Sequence, residues 1–393
     1  MSDAFSRTPD RAGSHATKWV ARSRVFGRED VIPLWVADMD FASPPAVSQA
    51  LIERARHPVY GYTEFPDSLF DALMQWLAER HRWSGQREHV RLVGGVIPAL
   101  HAVVQAFSRP GEGVIVMPPV YPPFFDAIRA GGRRLIESPL RLTDGKYRMD
   151  FDHLEACASE TDSRLLLLCS PHNPIGRIWS EQELERLLDI ARRHGLVVFS
   201  DEIHADLVYP DRPAHTLLVN LAGAEDAVVT AVAPGKSFNI QGLGLAALLC
   251  PCGKLRGIMQ NQVDRLPALQ CNPFSIAAFE AGYRHGGPWL DALLRYLQGN
   301  RDRVTTFLRR HRPEISVIDP QGTFLLWLDC RNLGLEDDAL AQFLVQEAGV
   351  GMSPGARFGE QGSGFMRMNI GAPAGIIDRA LERISTAIGS RLP

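Results

Sequence analysis

The 393-residue chain lacks the features that would announce a special location or partner. No apolar run approaches the ~18 residues needed to span a bilayer, and the longest, RLLLLC (164–169) and LGLAALLC (243–250), fall far short. The opening stretch MSDAFSRTPDRAGSHATKW is polar and has no apolar signal-peptide core, so a soluble, unexported protein is expected. Cysteine is sparse: six residues (157, 169, 250, 252, 271 and 330) lie scattered, with no C-x-x-C and with Cys250-Pro-Cys252 as the only close pair. That pattern reads as free thiols in a reducing cytoplasm. Neither sign of charge dominates, 42 basic residues standing against 45 acidic for a net charge of −3. A basic nucleic-acid footprint and an acidic tail are thereby excluded, and small molecules are the expected partners. Repeats and low-complexity tracts are absent too.

What is present is ordinary globular material, 45% hydrophobic and 22% charged, long enough for a large core and a smaller lobe. Short apolar runs, GVIVM (113–117), RLLLLC (164–169), GLVVFS (195–200), AVVTAV (227–232) and LAALLC (245–250), predict buried strands. Between two of them SEQELERLLDIARRHG (180–195) predicts a helix, with Ser180 as N-cap, Glu183 as capping-box partner and Gly195 as the stop. Buried strands alternating with helices predict an α/β fold with a mostly parallel central sheet and helices on both faces, plus a smaller α/β lobe. The expected division is 1–55 as N-terminal arm and part of the small domain, 56–287 as the large domain and 288–393 as the C-terminal small domain.

In such a sheet, ligands gather beyond the carboxyl ends of the strands, so polar residues there carry weight. Three strand ends bear them: Asn173 in SPHNPIG, then Asp201, Glu202, His204 and Asp206 in SDEIHADLVY, and Lys236 in APGKSFNIQGLG. Each alone has a bland reading as a turn, a helix cap or a solvated lysine. Two further pieces join them. LVGGVIPALHAVVQAF (92–107) sets two glycines before a helix, whose free first-turn amides make a phosphate seat. PPVYPPF (118–124) holds Tyr121 in a proline-flanked loop, where it could be a plate for a flat ring. Phosphate seat, aromatic plate, acid and lysine together are what pyridoxal 5′-phosphate requires.

The blocks VIPLWVADMDF (31–41), YGYT (60–63), GGVIPAL, PVYPPF, SPHNPIGRIW, SDEIHADLVY, KSFNIQGL, GTFLLWLD (322–329) and FMRMNIG (365–371) occur in this order over nearly the whole chain. With them the sequence resembles the fold-type-I pyridoxal-phosphate enzymes of the class I/II aminotransferase superfamily, and most of all their MalY/PatB-type cystathionine β-lyase (C–S lyase) branch. The resemblance implies a fold-type-I large domain in which Lys236 is the Schiff-base lysine and base at Cα. Asp201 pairs with the ring nitrogen, Asn173 with the phenolic oxygen, and Tyr121 stacks on the ring. Backbone amides of Gly95, Val96 and Ile97 hold the phosphate, and Arg367 clamps the substrate α-carboxylate. Tyr60 resembles a tyrosine that reaches the neighbouring subunit's phosphate, which implies a homodimer. Serines found before the lysine in many relatives are replaced here by Ala233 and Gly235, so the helix amides and Ser237, or an arginine not identifiable from the sequence, are expected to carry more of the phosphate. His204 stands where aminotransferases commonly have tyrosine and favours the lyase branch.

The activity so implied is cleavage of cystathionine or related cysteine S-conjugates to pyruvate, ammonia and a thiol, with transamination of a small or aromatic amino acid as the alternative. A metal-dependent hydrolase built on Asp201, Glu202, His204 and Asp206 is disfavoured, because alternate residues of an extended segment face opposite ways. A non-catalytic regulator is disfavoured by the intact set of Lys236, Asp201, Asn173 and Arg367.

Overall fold

The computed structural model describes residues 5–6, 8–11, 13–265 and 272–391. Its centre is a seven-stranded sheet of β1 (Val90–Val93), β2 (Gly113–Val116), β3 (Arg134–Glu137), β4 (Ser163–Cys169), β5 (Val197–Asp201), β6 (Val228–Val232) and β7 (Ala246–Leu249). The spatial order is β1-β7-β6-β5-β4-β2-β3. Only β7 runs against its neighbours β1 and β6; the other adjacent pairs are parallel. Leu165 to Leu168 of β4 are 0% exposed, because helices cover both faces and each side of the pleat is core. At about 1.5–3 kcal/mol per fully buried leucine, this strand is a main contributor to the sheet's stability.

The helices obey the end signals of the sequence. Helix α1 (Val96–Phe107) begins at Gly95, whose φ of 136° lies in a region glycine tolerates. Helix α2 (Glu181–His194) carries the expected reciprocal cap: Ser180 Oγ accepts from the Glu183 amide at 3.3 Å, Glu183 Oε2 accepts from the Ser180 amide at 2.8 Å, and Gly195 ends it in a left-handed conformation. A single turn, α3 (Pro234–Ser237), follows β6. The long α4 (Gly287–His311) leads to a four-stranded sheet of β8 (Ser316–Val317), β9 (Leu325–Asp329), β10 (Ser353–Pro354) and β11 (Phe365–Asn369), and α5 (Ala374–Arg391) closes the described chain. Cysteines 157, 169, 250, 252 and 330 are free and buried, while Cys271 lies outside the described residues. No helix is long and apolar enough to cross a membrane among the described residues.

Candidate active site

Adjacent parallel strands end together, which is why three sequence-distant polar groups meet. Cys169, Asp201 and Ala231 sit side by side in the register of β4, β5 and β6. Asn173 therefore lies just past one strand end, Asp201 at the next, and Lys236 on α3 just past the third. The loop with Tyr121 follows β2 and the Gly94-Gly95 turn follows β1, so both open on the same edge.

Asp201 is 5% exposed and its carboxylate accepts one protein hydrogen bond, from the Ile203 amide at 3.3 Å. Burial pushes it up to about 7, against the smaller opposing pulls of that amide and the Lys236 charge. Lys236 donates from Nζ to the Ala37 carbonyl at 2.5 Å. Burial and the neighbouring Arg367 charge bring its amine down to about 8, with Asp38 and Asp201 pulling the other way. Arg367, from β11, is 6% exposed; it donates to Asn173 Oδ1 at 3.0 Å and to the Trp35 carbonyl at 2.9 Å, while its buried Nε has no partner. Among the described residues no carboxylate pairs with it, and burial pushes its guanidinium down to about 10. Desolvation pushes the Tyr121 phenol up to about 12, helped by the Asp201 charge, so it keeps its proton at neutral pH. His204, packed edge-on to Phe324 with Nδ1 unpartnered, is held well below its ordinary value by burial and then by Lys236 and Arg367, and is neutral.

The arrangement thus holds a buried carboxylate without a cation, a buried guanidinium without an anion, and a lysine amine poised near neutrality. Unpaired buried charge is costly, so such a site fits a ligand that brings both missing signs. Pyridoxal 5′-phosphate with an amino acid does so: a protonated ring nitrogen for Asp201 and an α-carboxylate for Arg367. At the phosphate end, the Gly95 amide is committed to the Val93 carbonyl at 2.8 Å. The first-turn amides of Val96 and Ile97 have no carbonyl of their own helix to bond.

Ser237 departs from expectation. Its hydroxyl donates to Asp206 Oδ2 at 2.5 Å, and Asp206 also receives His81 Nε2 at 2.7 Å and Trp76 Nε1 at 3.1 Å. It anchors the lysine-bearing turn from behind and is unavailable to a phosphate. Glu202 is likewise committed, to His215 at 2.6 Å, Ser200 at 2.7 Å and the Leu218 amide at 2.9 Å. Neither carboxylate is a free metal ligand. Tyr60 stands apart, 56% exposed, donating to the Ala55 carbonyl at 2.7 Å. Asn239, Asn369, Trp35 and Asp38 were not anticipated individually. They lay inside the recognised blocks, and only the fold shows them converging on Lys236 and Arg367.

Residues 29–384 match the model of the family described as aminotransferase class I and II. The chain belongs to that family. Among its relatives, cystathionine beta-lyase PatB of Bacillus subtilis is 38% identical over 98% of this chain and 99% of the relative. Protein MalY of Escherichia coli is 34% identical over 98% of each. The crystal structure of cystalysin from Treponema denticola, which contains a pyridoxal 5′-phosphate cofactor, superposes with a TM-score of 0.95 at 33% identity, covering 98% of this chain and 99% of that one. Within the class I and II family, then, the strand-end cluster of this chain lies on a scaffold shared with a cofactor-bearing relative.

Proposed function

We propose that this protein is a pyridoxal 5′-phosphate-dependent carbon–sulfur β-lyase, cleaving cystathionine or a related cysteine S-conjugate to pyruvate, ammonia and a thiol. The observation that carries the reading is the pair of buried, complementary groups without ion-pair partners, Asp201 and Arg367, both close enough to act on Lys236. Full-length likeness to PatB and MalY supports the branch. Bound in the site, the cofactor supplies an electron sink for charge developing at the substrate Cα.

The chain's own groups do the rest. Asp201 would hold a proton at the ring nitrogen by charge pairing, Asn173 would meet the ring's phenolic oxygen, and Tyr121 would cover a face as a neutral phenol. The Val96 and Ile97 amides, beside Gly95, meet the phosphate at the positive end of α1. Arg367 turns its free Nε–H to the substrate carboxylate, which fixes the orientation of Cα–H. Lys236, with an amine near 8, has an appreciable neutral fraction at physiological pH and accepts the Cα proton at Nζ. Neutral His204 adds no charge that would compete with Asp201. A thiolate leaves readily as an anion, so elimination needs no strong acid at sulfur.

A homodimer belongs to the same reading. Tyr60, Val59 and Tyr62 are 56%, 63% and 107% exposed, an apolar cluster that suits coverage by a second copy whose site Tyr60 would reach. So do a cytoplasmic location and the division into a cofactor domain (56–287) and a small domain formed by the N-terminal arm with 288–393. Purified protein supplied with cofactor is expected to convert L-cystathionine or another β-thio amino acid to pyruvate, ammonia and thiol with no keto acid added. Turnover that requires a keto-acid acceptor, with the amine form of the cofactor accumulating in its absence, assigns the protein to transamination instead.

A further inference from the structure

The PLWVADMDF block has so far marked a resemblance without acquiring a role. In the fold, residues 34–41 form an irregular strap across the site, and its carbonyls seat both polar side chains that meet substrate. Trp35 accepts from Arg367 at 2.9 Å, and Ala37 from Lys236 at 2.5 Å. Backbone bonds pin the strap only near its ends, Leu34 to Gly351 and Asn369 and the Asp40 amide to Gly371, so the stretch from Trp35 to Asp38 has no ladder to fix its carbonyls and side chains hold it. From inside, Asn369 donates to Val36 and Asp38 carbonyls at 2.5 and 2.7 Å, and Asn239 donates to those of Met39 and Phe41 at 2.9 Å each.

The outer side is held by charge. Asp40 is 1% exposed and takes Lys18 Nζ at 2.7 Å, Arg11 Nη1 at 3.0 Å and Trp19 Nε1 at 3.1 Å. Lys18 also reaches the Asp38 carbonyl at 3.2 Å, and Arg11 reaches Asp38 Oδ2 at 2.9 Å. The chain has four lysines; Lys146 and Lys254 are exposed, whereas Lys18 is 0% exposed. A buried ion pair is a poor device for stability alone, since desolvation offsets most of its attraction and an apolar pair packs as well. Directional bonds and a balanced field are what it adds.

We propose that the Lys18–Asp40 pair, with Arg11 and Asp38, is a positioning device for the reaction: it holds the strap whose carbonyls seat Lys236 and Arg367, and it balances the two carboxylates of that strap. This rests on Lys236 being the reacting amine. The charged groups acting on Lys236 are Arg367 from β11, Asp201 from β5 and Asp38 from the strap, with His204 neutral beside them. The strap cluster itself sums to zero, two cations against two carboxylates. Lys18→Met leaves it one charge negative, so Lys236 keeps its proton to higher pH. Asp40→Asn leaves it one charge positive, so Lys236 loses its proton at lower pH. A strap that is merely packing would loosen in either variant, admit water, and move the amine upward both times.

The measurement is the pH dependence of Lys236 reductive methylation by formaldehyde with cyanoborohydride as the reductant in the full-length chain freed of cofactor, read from the mass of its peptide, with Lys146 and Lys254 as references. The wild-type midpoint is expected near 8. Lys18→Met should raise it and Asp40→Asn lower it, each by roughly half a unit, and the double variant should return it towards wild type. Asp38→Asn, at a less buried carboxylate whose loss the fold tolerates more easily, should also lower it. Upward shifts in both single variants, or no shift in any, overturn the proposal while leaving Lys236 as the reacting amine. A wild-type Lys236 that titrates with Lys146 and Lys254 removes the underlying assignment as well.

Discussion

Two buried groups of charges lie back to back in this protein and are treated in opposite ways. Behind the site, Asp206 and Glu202 are saturated by His81, Ser237, Trp76, His215, Ser200 and a backbone amide. Burial alone would raise Asp206, yet its bonds and the His81 charge hold it below the usual carboxylate range. At the site, Asp201 and Arg367 are equally buried, and among the described residues neither forms an ion pair with a group of opposite charge. Carboxylates five residues apart in one segment thus shift in opposite directions. Structural charge is closed within the chain, whereas functional charge is left for a ligand to complete.

The largest effect that can break this comparison is a pair of isosteric changes. Asp201 has its folded value raised from 3.8 to about 7, so between those limits the folded chain retains a proton that the unfolded chain has released. Its contribution therefore turns unfavourable as pH rises through that window, reaching about 4 kcal/mol above it. Asp201→Asn is expected to stabilise the cofactor-free chain at pH 8 by a few kcal/mol, while turnover with cofactor falls by about 100-fold or more. Asp206→Asn should do the reverse to stability, costing on the order of 3 kcal/mol, because it breaks a closed buried pair. Urea unfolding with and without cofactor reads both. If the two variants shift stability in the same direction, the distinction is lost.

A smaller effect sharpens the cationic side. Arg367→Met removes a guanidinium that burial already disfavours, so the cofactor-free chain should lose little stability, within about 1 kcal/mol. Without its charge-assisted bonds, KM for an α-amino acid substrate should rise roughly 30- to 100-fold, corresponding to about 2–3 kcal/mol. Steady-state kinetics separates the two quantities, and an unchanged KM would place the carboxylate seat elsewhere.

Much of this contrast was legible in the residue order. Buried strands announced themselves by continuous apolar runs, and α2 by Ser180, Glu183 and Gly195. The positions of Asn173, Asp201 and Lys236 followed from strand ends of a parallel sheet, where chain direction alone brings distant residues to one edge. Ser237 reads as a phosphate contact because nothing next to it in sequence signals Asp206, 31 residues earlier, as its acceptor. The Lys18–Asp40 clamp was invisible for a related reason. A lysine in a polar N-terminal stretch reads as solvated until the fold buries it. Local periodicity reports which face of an element is apolar; it carries no information on which polar groups close upon each other across the core.

The smallest expected effect tests the other end of the scale, where charges are paired but wet. Arg303 on α4 and Asp378 on α5 approach to 3.2 Å, with both side chains 43% exposed. High dielectric weakens their attraction, and holding two long side chains costs entropy, so such pairs contribute about 0–1 kcal/mol. Arg303→Ala should shift the urea midpoint by an amount corresponding to less than about 0.5 kcal/mol, and the shift should vanish at 1 M salt, where the screening length is about 3 Å. Turnover and Lys236 titration should stay at wild-type values, since neither residue touches the strap or the sheet edge. A loss of several kcal/mol here would mean that proximity alone makes ion pairs count in this fold, and the contrast between closed and open buried charges would lose its force.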